Sequence, residues 1–358
     1  MGKNSDYYKE KAYLQKEKLQ ELLAELPDFA RKFINDKRLR TQTSTLIQYC
    51  YDILTFYRYL ISVNPLYKNY TTRDFTYDDM KKLTAEDVVE YQLYLEYNSP
   101  KNGEKHENGK RAIARKMSPL RGMFQYHYEH ENIDSNPMTL VKLPYLKKDK
   151  NIIRLNSEEV SDVLNCVDNI TGSTSDHMSK FREKTKDRDL AIMTLLLGTG
   201  MRVSECAGLD LNDVNFTENS LVIVRKGGGQ DVIYFGDEVA EALLNYIDGD
   251  RSKVNPLEGH EQALFYSLQN KRISVDAIEK LVKKFGKIAV PNKKITPHKL
   301  RSTYGTALYR ETGDIRLVAD VLGHENVNTT VQYYAAIEDE HKRSAAGVVK
   351  MRSNKTKK

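Results

Sequence analysis

Residues 296–337 read TPHKLRSTYGTALYRETGDIRLVADVLGHENVNTTVQYYAAI, placing His298, Arg301, His324 and a tyrosine pair, Tyr333 and Tyr334, within one short, largely helical stretch. Pro297 suits the first turn of a helix with Thr296 as its cap, so His298 and Arg301 share a face and can reach one phosphate together. Upstream, residues 198–209, GTGMRVSECAGL, supply Arg202 at the end of an apolar helix, and residues 222–235, VIVRKGGGQDVIYF, supply Lys226 at the tip of a hairpin. A phosphodiester resists attack because its oxygens are negative, and displacement adds charge to the non-bridging and leaving oxygens. Arginine meets that charge well, since its planar fork grips two phosphate oxygens and stays protonated. A tyrosine hydroxyl, with an unperturbed pKa near 10, gains phenolate character among such cations. Adjacent helical residues point about 100° apart, so only one of Tyr333 and Tyr334 can enter such a site. Two arginines, a lysine, two histidines and a tyrosine are the groups that cleavage of a phosphodiester by a tyrosine hydroxyl needs.

In this order and spacing the residues closely resemble the tyrosine recombinase (phage integrase, Xer-type) family. The resemblance rests on independent parts: the Arg-x-Ser-Glu box at Arg202 to Glu205, the His-x-x-Arg box at His298 to Arg301, and the Leu-Gly-His run followed by Thr-Thr and tyrosine. It implies that Arg202 and Arg301 bind the scissile phosphate, and that His298 is a phosphate ligand or proton shuttle. His324 then donates to the other non-bridging oxygen, and Glu205 orients Arg202. Tyr333, nine positions beyond His324, matches the spacing of the family nucleophile. Lys226 corresponds to the hairpin lysine that protonates the departing 5′ oxygen. The family turn often reads Gly-Lys-Gly-x-Lys, whereas this one reads Arg225-Lys226-Gly227-Gly228-Gly229-Gln230. The second basic residue is missing and Arg225 replaces a glycine, which leaves Arg225 as a conceivable substitute for Lys226.

A chain of 358 residues exceeds the usual size of one core, so two domains are expected. The sequence has no apolar run of about eighteen residues or more, and MGKNSDYYKEK at the N-terminus lacks the apolar core of a signal peptide. A soluble, unprocessed, cytoplasmic protein with no membrane association is the expectation. Cys50, Cys166 and Cys206 are scattered without metal-ligand spacing, which fits reduced thiols. The net charge of +6 is only mildly basic, and its distribution says more. Lys110, Arg111, Arg115 and Lys116 form one basic group and candidate DNA contacts; Lys147, Lys148 and Lys150 form another, and the tail from Lys350 to Lys358 a third. Each is otherwise a solvated face.

The periodicity predicts a mainly α chain. Leu19, Leu22, Leu23 and Leu26 fall on one face of a helix that ends before Pro27. From Thr41, Leu46, Cys50, Ile53, Leu54, Tyr57 and Leu60 recur at helical spacing, and Thr84 with Asp87 caps a further helix. A polar loop over 98–109 precedes one or two helices that close near Asn132, before a turn at Asn136 and Pro137. Residues 1–146 thus read as a helical, SAM-like core-binding domain and 147–154 as a charged linker. Residues 155–336 read as a mixed α+β catalytic domain of the tyrosine recombinase type with a small antiparallel sheet. Within it, Asn156 and Glu159 form a capping box, helices cover about 157–168 and 187–197, strands cover 220–225 and 231–235, and 168–186 is a surface loop. Residues 337–358 are a C-terminal docking segment and basic tail.

The implied activity is site-specific recombination: cleavage and rejoining of double-stranded DNA through a 3′-phosphotyrosine and a Holliday junction. The implied assembly is a homotetramer, or hetero-tetramer, on two sites with inverted-repeat half-sites. No Asp/Glu cluster with metal spacing and no Gly-Lys-Ser/Thr loop occurs, so neither metal, nucleotide nor other cofactor is implied. A type IB topoisomerase would share the chemistry but relax DNA as a monomer, and a catalytically idle regulator could share the scaffold. The helical N-terminal half and the Leu-Gly-His/Thr-Thr/Tyr arrangement argue against the first, and the intact residue set against the second.

Overall fold

The computed structural model describes residues 6–97, 100–101, 104–105, 108–145, 154–169, 184–225 and 227–323. The chain forms two compact units, Tyr8–Lys148 and Asp149–Lys358 with Met1–Tyr7. Most of the expected linker, residues 170–183 of the loop expected over 168–186, and the C-terminal segment from 324 onward lie outside the described residues.

The first unit is helical: α1 (Asp6–Glu25), α2 (Asp28–Lys37), α3 (Thr43–Val63), α4 (Tyr77–Lys82), α5 (Ala85–Tyr97) and α6 (Lys110–Glu129). All four leucines of the first expected stripe are buried. Thr84 and Asp87 cap α5 reciprocally, Asp87 N–H donating to Thr84 Oγ1 (3.2 Å) and Thr84 N–H to the Asp87 carboxylate (2.8 Å). Two helices, α2 and α4, lie beyond the sequence expectations. Pro27, which closes α1, also stands at the N-cap of α2 with φ −55°, so one proline ends a helix and opens the next. The expected loop over 98–109 contains a short antiparallel pair, β1 (Pro100–Lys101) and β2 (Glu104–Lys105). Residues 110–129 form a single helix that passes through the buried Pro119. Its core is rich in rings, with Phe29, Phe33, Phe56, Tyr57, Tyr91 and Phe124 all buried. Burial of each stabilises the unit by roughly 2–3 kcal/mol.

The second unit mixes α7 (Ser157–Asp168), α8 (Lys186–Thr199), α9 (Val203–Ala207), α10 (Asp237–Asp248), α11 (Val275–Ala289), α12 (Pro297–Thr312) and α13 (Ile315–Val321) with β3 (Val214–Asn215), β4 (Ser220–Val224) and β5 (Gln230–Tyr234). Asn156 and Glu159 make the expected capping box at α7, each side chain accepting a backbone N–H at 2.8 Å. Every residue from Ala191 to Leu197 is buried, and α8 accordingly sits centrally, packed by α7, α10 and α12. The sheet is antiparallel in the order β3-β4-β5, with Ser220 opposite Tyr234 and Val224 opposite Gln230. Thr296 stands at the N-cap of α12 as expected, but its side chain makes no cap bond. Its carbonyl accepts from Lys299 N–H and Leu300 N–H, and Pro297 at the first helical position removes one of the N–H groups that would otherwise lack an intrahelical partner. The fold class is therefore the expected one: a helical N-terminal unit, then a mixed unit with a small antiparallel sheet. Among the described residues no helix is long and apolar enough to cross a membrane.

Candidate active site

Arg202 owes its place to the end of α8. Gly200 terminates that helix with φ +62°, a left-handed conformation that costs other residues about 1–2 kcal/mol, and the chain then turns into α9. Arg202 is the N-cap of α9, and Glu205, only 2% exposed, holds it twice. One carboxylate oxygen accepts the Arg202 backbone N–H at 2.7 Å, and the other accepts Nη1 at 2.9 Å. The orienting contact expected of Glu205 is thus present. Nη2 of Arg202 donates to the carbonyl of Gly323 at 3.1 Å.

Arg301 projects from α12 one turn after His298 and is 5% exposed. Its Nη1 donates to the Gly200 carbonyl at 2.7 Å, and its Nη2 donates to the Leu322 carbonyl. Arg225, at the end of β4, donates through Nη2 to the Val321 carbonyl at 2.9 Å and through Nε to Asp231 at 2.8 Å. Three guanidiniums from three elements therefore meet three successive carbonyls, Val321, Leu322 and Gly323, where α13 ends. The last carbonyls of a helix lack intrahelical partners and carry the negative end of its dipole, which makes them natural anchors for cations. A guanidinium has about five N–H donors, so the two side-chain bonds at Arg202 aim its fork while other donors can meet an anion.

His298 lies on the exposed side of α12. Its imidazole is held below its ordinary pKa, first by desolvation and then by the charges of Arg301 and Arg202. A neutral ring at pH 7 can accept a proton, which an imidazolium cannot.

Gly200 and Gly323 give this cluster its close packing. A Cβ on Gly200 would lie 2.4 Å from Cδ1 of Tyr304 and 3.0 Å from Cδ2 of Leu322. Gly200→Ala is expected to destabilise the protein by about 2 kcal/mol or more, combining a left-handed backbone with a clash. A thermal melt checks this; an unchanged melting temperature would mean that the turn relaxes freely.

The structure brings Arg202, Glu205, His298 and Arg301 together. Lys226, His324, Tyr333 and Tyr334 lie outside the described residues. Arg225, which the sequence offered only as a conceivable substitute for Lys226, is a further member of the cluster, held there by Asp231 and the Val321 carbonyl. A basic residue beside the hairpin lysine, with Asp231 six positions on, was the available signal. Of the candidate DNA contacts on α6, Lys110 and Arg111 face solvent. Arg115 (3.0 Å) and Lys116 (3.6 Å) both pair with Asp52, a buried α3 carboxylate whose pKa burial raises against the pull of those two cations. Among the described residues no group of His, Cys, Asp and Glu is placed to hold a metal ion.

Comparison with known proteins fits this cluster. The model of the phage integrase family matches residues 154–341, more than half of the chain. Tyrosine recombinase XerC of Caldanaerobacter subterraneus subsp. tengcongensis is 33% identical over 314 residues, covering 84% of this chain and 80% of that protein. Tyrosine recombinase XerS of Streptococcus agalactiae is 29% identical over 347 residues, covering 91% and 96%. In solved structures, the XerH site-specific recombinase bound to a palindromic difH substrate matches with a TM-score of 0.60 at 19% identity, covering 85% of this chain and 80% of that one. A lambda integrase dimer bound to a core site matches with a TM-score of 0.57 at 15% identity, covering 84% and 95%. At these identities the structural likeness speaks to the fold. The chain belongs to the phage integrase family and is a tyrosine site-specific recombinase of Xer type.

Proposed function

We propose that this recombinase cleaves and rejoins DNA through a 3′-phosphotyrosine, with Tyr333 as nucleophile. Convergence of Arg202 and Arg301 on the end of α13, with His298 within reach of both their charges, carries the reading. The Tyr333 oxygen forms a bond to phosphorus as the bond from phosphorus to the 5′ oxygen breaks. The phenol proton passes to a neighbouring base, for which neutral His298 is suited, and Lys226 gives a proton to the departing oxygen. Arg202 and Arg301, with His324, meet the charge on the non-bridging oxygens. The new phosphodiester conserves the energy of the old one, so rejoining needs no nucleotide. The freed 5′ hydroxyl then attacks the phosphotyrosine of a partner duplex, and two such exchanges pass through a Holliday junction.

The relatives' solved complexes with DNA support double-stranded DNA as the partner. Under this reading each protomer binds one half-site of an inverted repeat, and four protomers, identical or of two kinds, act on two sites in the cytoplasm. Residues from Glu338 to Val349, a stretch with few apolar side chains, would dock on a neighbouring protomer and couple one Tyr333 to the next.

The test uses paired inverted-repeat sites selected by binding from a randomised duplex pool. Exchange of flanking DNA is expected in excess EDTA without ATP, and deletion from Glu338 onward should abolish synapsis while sparing half-site binding. Relaxation of supercoils by a monomer without exchange would make the enzyme a topoisomerase. Binding with no strand cleavage would make it an idle regulator, and activity that only Mg²⁺ restores would overturn the chemistry. Wild-type synapsis by the truncated chain would remove the docking role.

A further inference from the structure

Arg225 binds more partners than its place at a loop edge requires. Its backbone N–H donates to Gly229 (2.8 Å) and its carbonyl accepts from Gly228 (3.0 Å), which closes the turn after β4. Its side chain is 13% exposed and spans three elements. Nε holds Asp231 on β5, Nη2 holds the Val321 carbonyl, and Nη1 lies 3.5 Å from Glu205, the carboxylate that also holds Arg202. Gly323 closes over it: a Cβ there would stand 2.7 Å from Nε, and the residue has φ +57°. The guanidinium is thus fixed to the hairpin, to α9 and to the end of α13. The residue that follows Arg225 is Lys226, and the residue that follows Gly323 is His324.

We propose that Arg225 is a positioning residue that fastens the base of the Gly-rich hairpin turn to the arginine cluster, and so presents Lys226 to the departing 5′ oxygen. This rests on the reading of Lys226 as the proton donor given above. Gly227 and Gly228 adopt φ +111° and +91°, so the turn itself supplies little stiffness, and glycine loses more freedom on ordering than any other residue. A proton donor must be held within hydrogen-bond reach of the oxygen it serves. An anchor beside Lys226 provides this where the turn does not. Lysine could not replace the anchor, because an ammonium is a point donor that cannot hold a carboxylate, a second carboxylate and a carbonyl along a planar fork.

The discriminating measurement is single-turnover formation of the covalent protein–DNA adduct on nicked substrates with oxygen or sulfur at the bridging 5′ position. A thiolate departs without being protonated, so sulfur removes the need for the donor. Arg225→Gln is expected to slow cleavage of the oxygen substrate by about 30-fold or more, a large part of what general acid catalysis contributes. The sulfur substrate should stay within about threefold of wild type. Lys226→Ala should show the same selectivity for oxygen. Should Arg225→Gln lack a cooperative melt, Arg225→Lys supports the same comparison, with about a tenfold loss on oxygen alone. Equal slowing on both substrates, or no slowing on oxygen, would overturn the proposal. Sulfur rescue of Arg225→Gln without rescue of Lys226→Ala would also overturn it, by making Arg225 the donor itself. If the wild type forms no adduct on either substrate, the reaction reading fails instead, which separates the two failures.

Discussion

Alanine at Arg202 or Arg301 is expected to slow strand cleavage by about 10²–10³-fold, the loss associated with removing one oxyanion donor. Half-site affinity should change by less than about threefold, because many backbone contacts share the binding. The two variants differ in their cost to the fold. Arg301 is 5% exposed and satisfies the carbonyls of Gly200 and Leu322, so its loss strands buried acceptors at about 1–3 kcal/mol each. Arg202 is 31% exposed in its side chain, and without it Glu205 keeps Arg225 as a partner. Arg202→Ala is therefore the cleaner reading of transition-state stabilisation, and a melt taken alongside each cleavage time course separates folding from chemistry. A parallel fall in binding and cleavage would make these arginines positioning contacts for DNA.

Loss of the covalent adduct should be complete in Tyr333→Phe and absent in Tyr334→Phe. The two are neighbours on the chain, and if helical they point about 100° apart, so one faces the arginines and the other does not. Removing a nucleophile leaves no partial route to a covalent intermediate, which makes this the largest effect expected of any single substitution. The assay is a nicked suicide substrate, from which the cleaved fragment diffuses away and traps the adduct. An adduct that survives in Tyr333→Phe and vanishes in Tyr334→Phe would move the nucleophile by one residue.

Much of this arrangement is legible in the sequence because each part has a local cause. Asn156 with Glu159, Thr84 with Asp87, and the buried stripe at Leu19, Leu22, Leu23 and Leu26 all follow from spacings of three or four residues. Arg202 and Glu205 belong to the same class, since their contact spans three positions. The short α2 and α4 were harder to see, because ten and six residues hold too few turns for a period to stand out. The carbonyl anchors were not legible at all. Arg202 reaches Gly323, 121 positions away, and Arg225 reaches Val321, 96 positions away, so only the tertiary fold could join them. Histidine gives the sharpest contrast. His127 is fully buried with its Nε2 3.0 Å from the Phe29 carbonyl, a structural role, while His298 stands exposed beside two guanidiniums. Composition cannot tell these apart, and the His-x-x-Arg spacing does.

In the proposed reaction DNA is cut by transfer of a 3′ phosphate to Tyr333. Digesting the trapped wild-type adduct with protease and nuclease, then sequencing the modified peptide by mass spectrometry, reads both the linkage and the residue at once. The expected product is a nucleotide joined through its 3′ phosphate to the Tyr333 oxygen, with a 5′ hydroxyl on the released strand. A 5′ phosphate link, attachment at any other residue, or cleavage that leaves no covalent link would contradict it.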